Sequence, residues 1–132
     1  MTLVDTNVLL DLFTADPKWS PWSSMQLDRL ALLGPLAITD IVYAELSVRF
    51  ATIEAVDSAI ERAGLVMLAT PRPALFLAGK AYRTYRQSGG TKTGVLPDFF
   101  IGAHAAVAML PLLTRDPRRY RAYFPSIQLI SP

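Results

Sequence analysis

Short, uninterrupted apolar runs alternate with longer helical patterns along this chain, and that order predicts an α/β fold. Strands that are apolar at every position belong to a parallel sheet covered on both faces. A length of 132 residues, 52% hydrophobic and without cysteine, fits one domain with its own core and no disulfide framework. The expected architecture is a single three-layer α/β/α domain, residues 1–132, around a central, mostly parallel sheet of four to five short strands.

The elements follow in order. Leu3-Val4 is the first strand, stopped by Asp5; Thr6 and Asn7 lead into a helix through Phe13, with Asp, Thr or Asn to cap it. Pro17 and Pro21 punctuate the loop before a helix from Trp22 to Leu33, which Gly34-Pro35 ends. Leu36 to Thr39 reads as the second strand, Asp40 caps a helix to about Phe50, and Ile53 to Ala63 forms another, closed by Gly64. Leu65 to Leu68 is the third strand. Pro73 opens a helix through Gln87, and the Ser88–Gly94 loop precedes an alanine-rich helix from Leu96 to about Met109. Leu112 to Thr114 and Ile127 to Ile130 are the last strands, separated by an Arg-rich segment. The most apolar stretch, Phe99 to Leu113, holds His104 and Pro111 and is too short to span a bilayer. With no basic, apolar leader at the start, a soluble, cytoplasmic protein without a membrane partner is expected.

In parallel sheets, ligands bind outside the carboxyl ends of the strands. Three carboxylates are expected there: Asp5 after the first strand, Asp98 at the start of the alanine-rich helix, and Asp116 after Leu112 to Thr114. A fourth, Glu45, interrupts a helical stripe of Ile41, Val42 and Val48. Each alone has an ordinary reading: a cap, a first-turn acid, a turn starter, or an i,i+4 pair with Arg49. Together, unpaired carboxylates at one sheet edge repel one another, and a hard divalent cation relieves that. All-oxygen ligands select Mg²⁺ or Mn²⁺, which activates water and clamps phosphate oxygens. Asn7 and Thr114 stand two residues from Asp5 and Asp116 and suit support of the carboxylates. His104, six residues past Asp98 and off its face, reads as a satisfied or partly exposed packing residue.

The net charge of +2 hides an asymmetry. Residues 1–66 carry 4 Lys/Arg against 9 Asp/Glu, and residues 67–132 carry 9 against 2. Arg115, Arg118, Arg119 and Arg121, interleaved with Tyr120 and Tyr123, directly follow Asp116 and are candidates to hold RNA. Lys92, Arg83 and Arg86 flank the Gly89-Gly90 loop.

The ordered set Val4-Asp5-Thr6-Asn7, the Glu45 helix, Leu96-Pro97-Asp98-Phe99 and Leu113-Thr114-Arg115-Asp116 resembles the PIN-domain family. Within it, the chain looks like VapC-type toxin ribonucleases of toxin–antitoxin pairs. The resemblance covers essentially the whole chain. It implies that Asp5, Glu45, Asp98 and Asp116 form the catalytic, metal-binding set, with Thr6, Asn7 and Thr114 in support. It implies a Mg²⁺- or Mn²⁺-dependent endoribonuclease, with water as nucleophile and RNA as substrate. An antitoxin, docked in a groove, and a second copy of the chain are the implied protein partners. Where some relatives carry a further acid, this chain has Ile101 and Gly102. The competing reading is a catalytically inactive PIN-like domain that binds RNA or protein. A receiver-like phosphatase with Asp5 as acceptor ranks behind both, because Asn7 stands where a second Asp would be wanted.

Overall fold

The computed structural model describes residues 1–132 and contains twelve elements, five strands separated by one or two helices each. They are β1 (Thr2–Val4), α1 (Thr6–Phe13), α2 (Ser20–Ala31), β2 (Leu36–Thr39), α3 (Asp40–Ser47), α4 (Ile53–Arg62), β3 (Leu65–Leu68), α5 (Arg72–Gln87), α6 (Leu96–Ala108), β4 (Leu112–Leu113), α7 (Arg118–Tyr123) and β5 (Leu129–Ile130). The five strands form one sheet in the order β3-β2-β1-β4-β5, and every pairing is parallel. β1, β2 and β4 are buried along their whole length, and apart from Thr2 and Thr39 at strand ends they are apolar at each position. No helix is long and apolar enough to cross a membrane.

Strand order fixes where a site can form. From β1 the chain moves outward through β2 to β3, then crosses back and continues outward the other way through β4 to β5. Right-handed crossovers therefore place the helices of the two halves on opposite faces of the sheet. The reversal falls between β1 and β4, so the crevice beyond their carboxyl ends is the topological switch point. Register carries Leu3 and Val4 alongside Leu112 and Leu113, and the Asp5 N–H donates to the Leu113 carbonyl at 2.9 Å. The next residues on the two strands, Asp5 and Thr114, thus emerge side by side.

Several boundaries differ from the sequence expectation. Helix α2 begins at Ser20, two residues early, because Pro21 in its first turn lacks an N–H that the helix would leave unpaired anyway. Thr39, not Asp40, caps α3: its Oγ1 accepts from the Val42 N–H at 3.1 Å. Asp40 instead accepts hydrogen bonds from the Thr70 backbone and hydroxyl. Helix α3 stops at Ser47, so Val48 is 86% exposed and does not continue the apolar stripe around Glu45.

The Arg-rich segment holds a helix that the density of charge concealed. Tyr120 and Phe124, four residues apart, are its inward stripe, 1% and 3% exposed. His104 is neither satisfied nor partly exposed. It is buried, its Nδ1 has no hydrogen-bond partner, and burial lowers its pKa, favouring the neutral ring.

Helix α7 reaches its position because Gly102 of α6 has no side chain. A Cβ there would stand 2.5 Å from two Phe124 ring atoms and 3.0 Å from the Tyr120 ring. Gly102→Ala should therefore force both rings aside and destabilise the fold by about 1–3 kcal/mol, the usual range for overpacking. Denaturant unfolding of the two proteins measures this, and equal midpoints would contradict it.

Candidate active site

Asp5 occupies the switch point. Its backbone is extended, as expected of an N-cap, and its Oδ1 accepts from the Thr6 N–H at 2.7 Å. Its Oδ2 accepts from the Thr114 hydroxyl at 2.8 Å, the Tyr120 hydroxyl at 2.8 Å and, more loosely, Asn7 Nδ2 at 3.4 Å. Burial, and after it the charge of Asp98, push the Asp5 carboxyl up from an ordinary 3.8 to about 6; its hydrogen-bond donors act in the opposite direction. Tyr120 is held well above its usual value by burial and the nearby carboxylates, so its proton stays available to Asp5.

The supporting residues interlock. Thr114 donates to Asp5 and its oxygen accepts from the Asp116 N–H at 3.1 Å and from Asn7 Nδ2 at 3.3 Å. Asn7 Oδ1 accepts from the Arg115 N–H at 3.1 Å, which ties α1 to the segment after β4. Thr6 donates its hydroxyl to Glu45 Oε1 at 2.7 Å, linking the start of α1 to the last turn of α3. Thr6, Asn7 and Thr114 therefore each touch an acid or the chain that carries one.

Glu45, Asp98 and Asp116 surround this centre in graded exposure. Burial raises Glu45, the Thr6 hydroxyl opposes that, and the Asp98 charge adds to it. Burial also raises Asp98, against the pull of Arg119, whose Nη1 donates to Asp98 Oδ2 at 2.6 Å. Asp116 is more exposed and Arg118, at 3.2 Å, holds its carboxyl below the ordinary value. Asp98 is the common neighbour: its charge acts on Asp5 and Glu45, and it responds to Asp116. Glu45 and Arg49 form no ion pair, and Arg49 lines a separate cavity with Phe13 and Phe50.

The four acids offer only oxygen, the donor chemistry of Mg²⁺ or Mn²⁺. As they stand, no three of them draw close enough to enclose an ion, and Asp98 is engaged by Arg119 instead. The donor type fits a hard cation, and one cationic group already occupies part of the position.

Of the four arginines expected to meet RNA, three are paired with carboxylates. Arg115 turns away from the acids to Asp11, with Nε 2.7 Å from Oδ2, and lies over the Trp19 ring at 5.1 Å. Asp11 is buried and also accepts from the Ser23 hydroxyl at 2.7 Å. Arg118 and Arg119 hold Asp116 and Asp98, and Arg121 is exposed without an ion pair. Sequence reasoning gave Asp11 no role of its own and took Tyr120 only as an aromatic among arginines. For Tyr120 a signal existed, since its i,i+4 spacing to Phe124 marks an inward helical face.

In fold, the chain is similar to one from VapBC2 of Rickettsia felis, solved bound to a promoter DNA fragment. That match has 20% identity and a TM-score of 0.75, covering 99% of this chain and 98% of that one. A chain of VapBC-1 from nontypeable Haemophilus influenzae shares 22% identity at TM-score 0.72, with 98% and 96% covered. One of VapBC-5, a toxin–antitoxin family member from Mycobacterium tuberculosis, shares 23% at TM-score 0.62, with 99% and 98% covered. No curated protein matches the sequence. The PIN domain family model matches residues 2–125, and with nearly the whole length so matched, the chain belongs to the PIN-domain family.

Proposed function

We propose that this PIN domain is a divalent-metal-dependent endoribonuclease and the toxin of a toxin–antitoxin pair. The observation that carries the reading is the gathering of Asp5, Glu45, Asp98 and Asp116 around the switch point. Three of the four carboxyls are raised by burial, and Asp98 couples them. Mutual repulsion of this kind has a use when a cation is to be held.

Asp5, Glu45, Asp98 and Asp116 would hold Mg²⁺ or Mn²⁺, which when bound supplies an activated water and charge neutralisation at the phosphate. The chain's own groups do the rest. Thr114 and Tyr120 fix the rotamer of Asp5 and keep its charged form accessible near neutral pH. Thr6 orients Glu45. Arg118 and Arg121, at the exposed rim, and Arg119 beside them suit contact with an RNA backbone, because guanidinium forks match phosphate oxygens. Arg115 serves as an anchor: it fastens the segment between β4 and α7 to Asp11 and Trp19, and so places Asp116.

The likeness to chains of VapBC complexes supports a toxin's role, with an antitoxin as protein partner and a second copy of the chain as the other. A hollow of about 600 Å³ lined by Phe13, Phe50, Arg49 and Arg62 offers an apolar seat with a basic rim for an antitoxin segment. A cytoplasmic location accords with that role.

Two outcomes are expected. Purified protein freed of bound partners should cleave RNA with Mg²⁺ or Mn²⁺ and stop in EDTA. Asp5→Asn and Asp98→Asn should each lower that cleavage by roughly 10²-fold or more, since each removes a ligand from the charged centre. Full activity in either variant, by gel analysis of labelled RNA, would overturn the assignment.

The second concerns pH. Asp5 binds its proton more tightly in the folded chain, at about 6, than at its ordinary 3.8. The unfolded chain therefore carries fewer protons between those values, and this group's contribution to stability falls as pH rises from about 4 to 6. Metal-free melting temperatures of Asp5→Asn and the parent should differ more in the variant's favour at pH 7 than at pH 4.5. A pH-independent difference would contradict the burial of a charge at this position.

A further inference from the structure

Arg119 is placed unlike its neighbours. Arg118 meets Asp116 in the open, with side chains 87% and 55% exposed, whereas Arg119 and Asp98 are only 24% and 33% exposed and stand 2.6 Å apart. It is the cation on the acid to which the other three are coupled. On its other side Arg119 faces a cavity of about 320 Å³ that it shares with Tyr85, Lys92, Asp116, Arg118 and Tyr123.

That cavity is shaped for an anion. Tyr85, which lines it, is held in place by the Gly89-Gly90 loop, folded onto its ring so closely that a Cβ on Gly90 would lie 2.4 Å from Tyr85 Cζ. The Tyr85 hydroxyl accepts the Lys92 N–H at 3.0 Å, which pins the lysine at the rim. Three cations and two tyrosines thus line the hollow against one carboxylate, and that carboxylate, Asp116, is paired with Arg118. A guanidinium offers the same fork to a carboxylate and to a phosphate, so it can pass between them with little change in its own requirements.

We propose that Arg119 is an exchangeable counter-ion of the site. Paired with Asp98 it fills a cation position of the metal-free protein. It must leave Asp98 for a divalent ion to be held there, and its guanidinium then serves the cavity beside Lys92 and Arg118, where an RNA phosphate replaces the carboxylate as its partner. This rests on the metal-dependent reading above and adds to it a residue that links ion occupancy to substrate grip. Two positive charges do not share one carboxylate oxygen without strong repulsion, and here the partly buried setting leaves that repulsion less screened than at the surface.

Mn²⁺ titration without RNA, read by the electron paramagnetic resonance of the free ion, separates the possibilities. In Arg119→Gln the Mn²⁺ dissociation constant should fall about three- to tenfold below that of the parent, as expected when a competing cation is removed. Arg118→Gln removes the same charge from the exposed pair and sets the size of the general electrostatic effect; it should fall less than twofold. Arg119→Lys retains a cation and should stay near the parent. Anisotropy of a labelled single-stranded RNA should show Arg119→Gln binding close to the parent in EDTA and several-fold weaker in Ca²⁺. Equal Mn²⁺ affinities for the parent and Arg119→Gln, a weaker one in Arg119→Gln, or an Arg118→Gln effect as large, would overturn the proposal alone. Absence of Mn²⁺ binding in every protein would overturn the metal-dependent reading, and this one with it.

Discussion

A carboxylate at the end of a buried strand has lost its water, and the surrounding chain must supply what water supplied. Asp5 is 4% exposed and receives the Thr6 N–H, the Thr114 and Tyr120 hydroxyls and the Asn7 amide. Those donors arrive from three regions of the chain. Thr6 and Asn7 come with the helix that Asp5 caps, Thr114 with the parallel register of β1 and β4, and Tyr120 with α7. Desolvation still outweighs them, which is why the carboxyl sits near 6 rather than below 4. The position is balanced between a buried charge and a buried acid, and small changes in nearby charge decide which it is.

The charge asymmetry of the chain becomes local geometry at this point. The acidic half supplies Asp5, Asp11 and Glu45; the basic half supplies Arg115, Arg118 and Arg119 and two more acids, Asp98 and Asp116. Each arginine finds a different degree of burial. Arg115 reaches the deeply buried Asp11 and stacks on Trp19, an arrangement that anchors a segment. Arg118 stays in solvent, where an ion pair contributes little. Arg119 lies between these extremes. A run of arginines that looks uniform in sequence therefore divides into a buried anchor, a half-buried pair and an exposed pair, according to depth.

Asp5, Asp116 and Thr114 were legible in the sequence because they sit where apolar runs stop, and a parallel sheet brings strand ends to one edge; Asp98 was legible as the acid in the first turn of the alanine-rich helix. Glu45 was legible as a polar residue in an apolar stripe, even though Val48 is not part of that stripe. Asp11 was not, since its partner Arg115 lies 104 positions away and nothing local distinguishes it from a helical surface acid. The helix α7 was hidden for a related reason: four arginines among ten residues mask an apolar face made of only Tyr120 and Phe124. His104 shows the opposite failure. Its burial without a partner for Nδ1 depends on how tightly the small residues of α6 pack, a property of the assembled core.

Six residues of α7 thus control three of the four acids. Arg118 holds Asp116, Arg119 holds Asp98, and Tyr120 donates to Asp5. A helix this short has no stability of its own, because nucleation is unfavourable and too few bonds follow to offset it. It persists through the packing of Tyr120 and Phe124 on α6, and that close approach depends on the missing side chain at Gly102. The consequence is that the three acids cannot be adjusted one at a time by moving α7. A displacement that frees Asp98 from Arg119 without disturbing Tyr120 must come from the arginine side chain alone, since the backbone that carries both is fixed by the core.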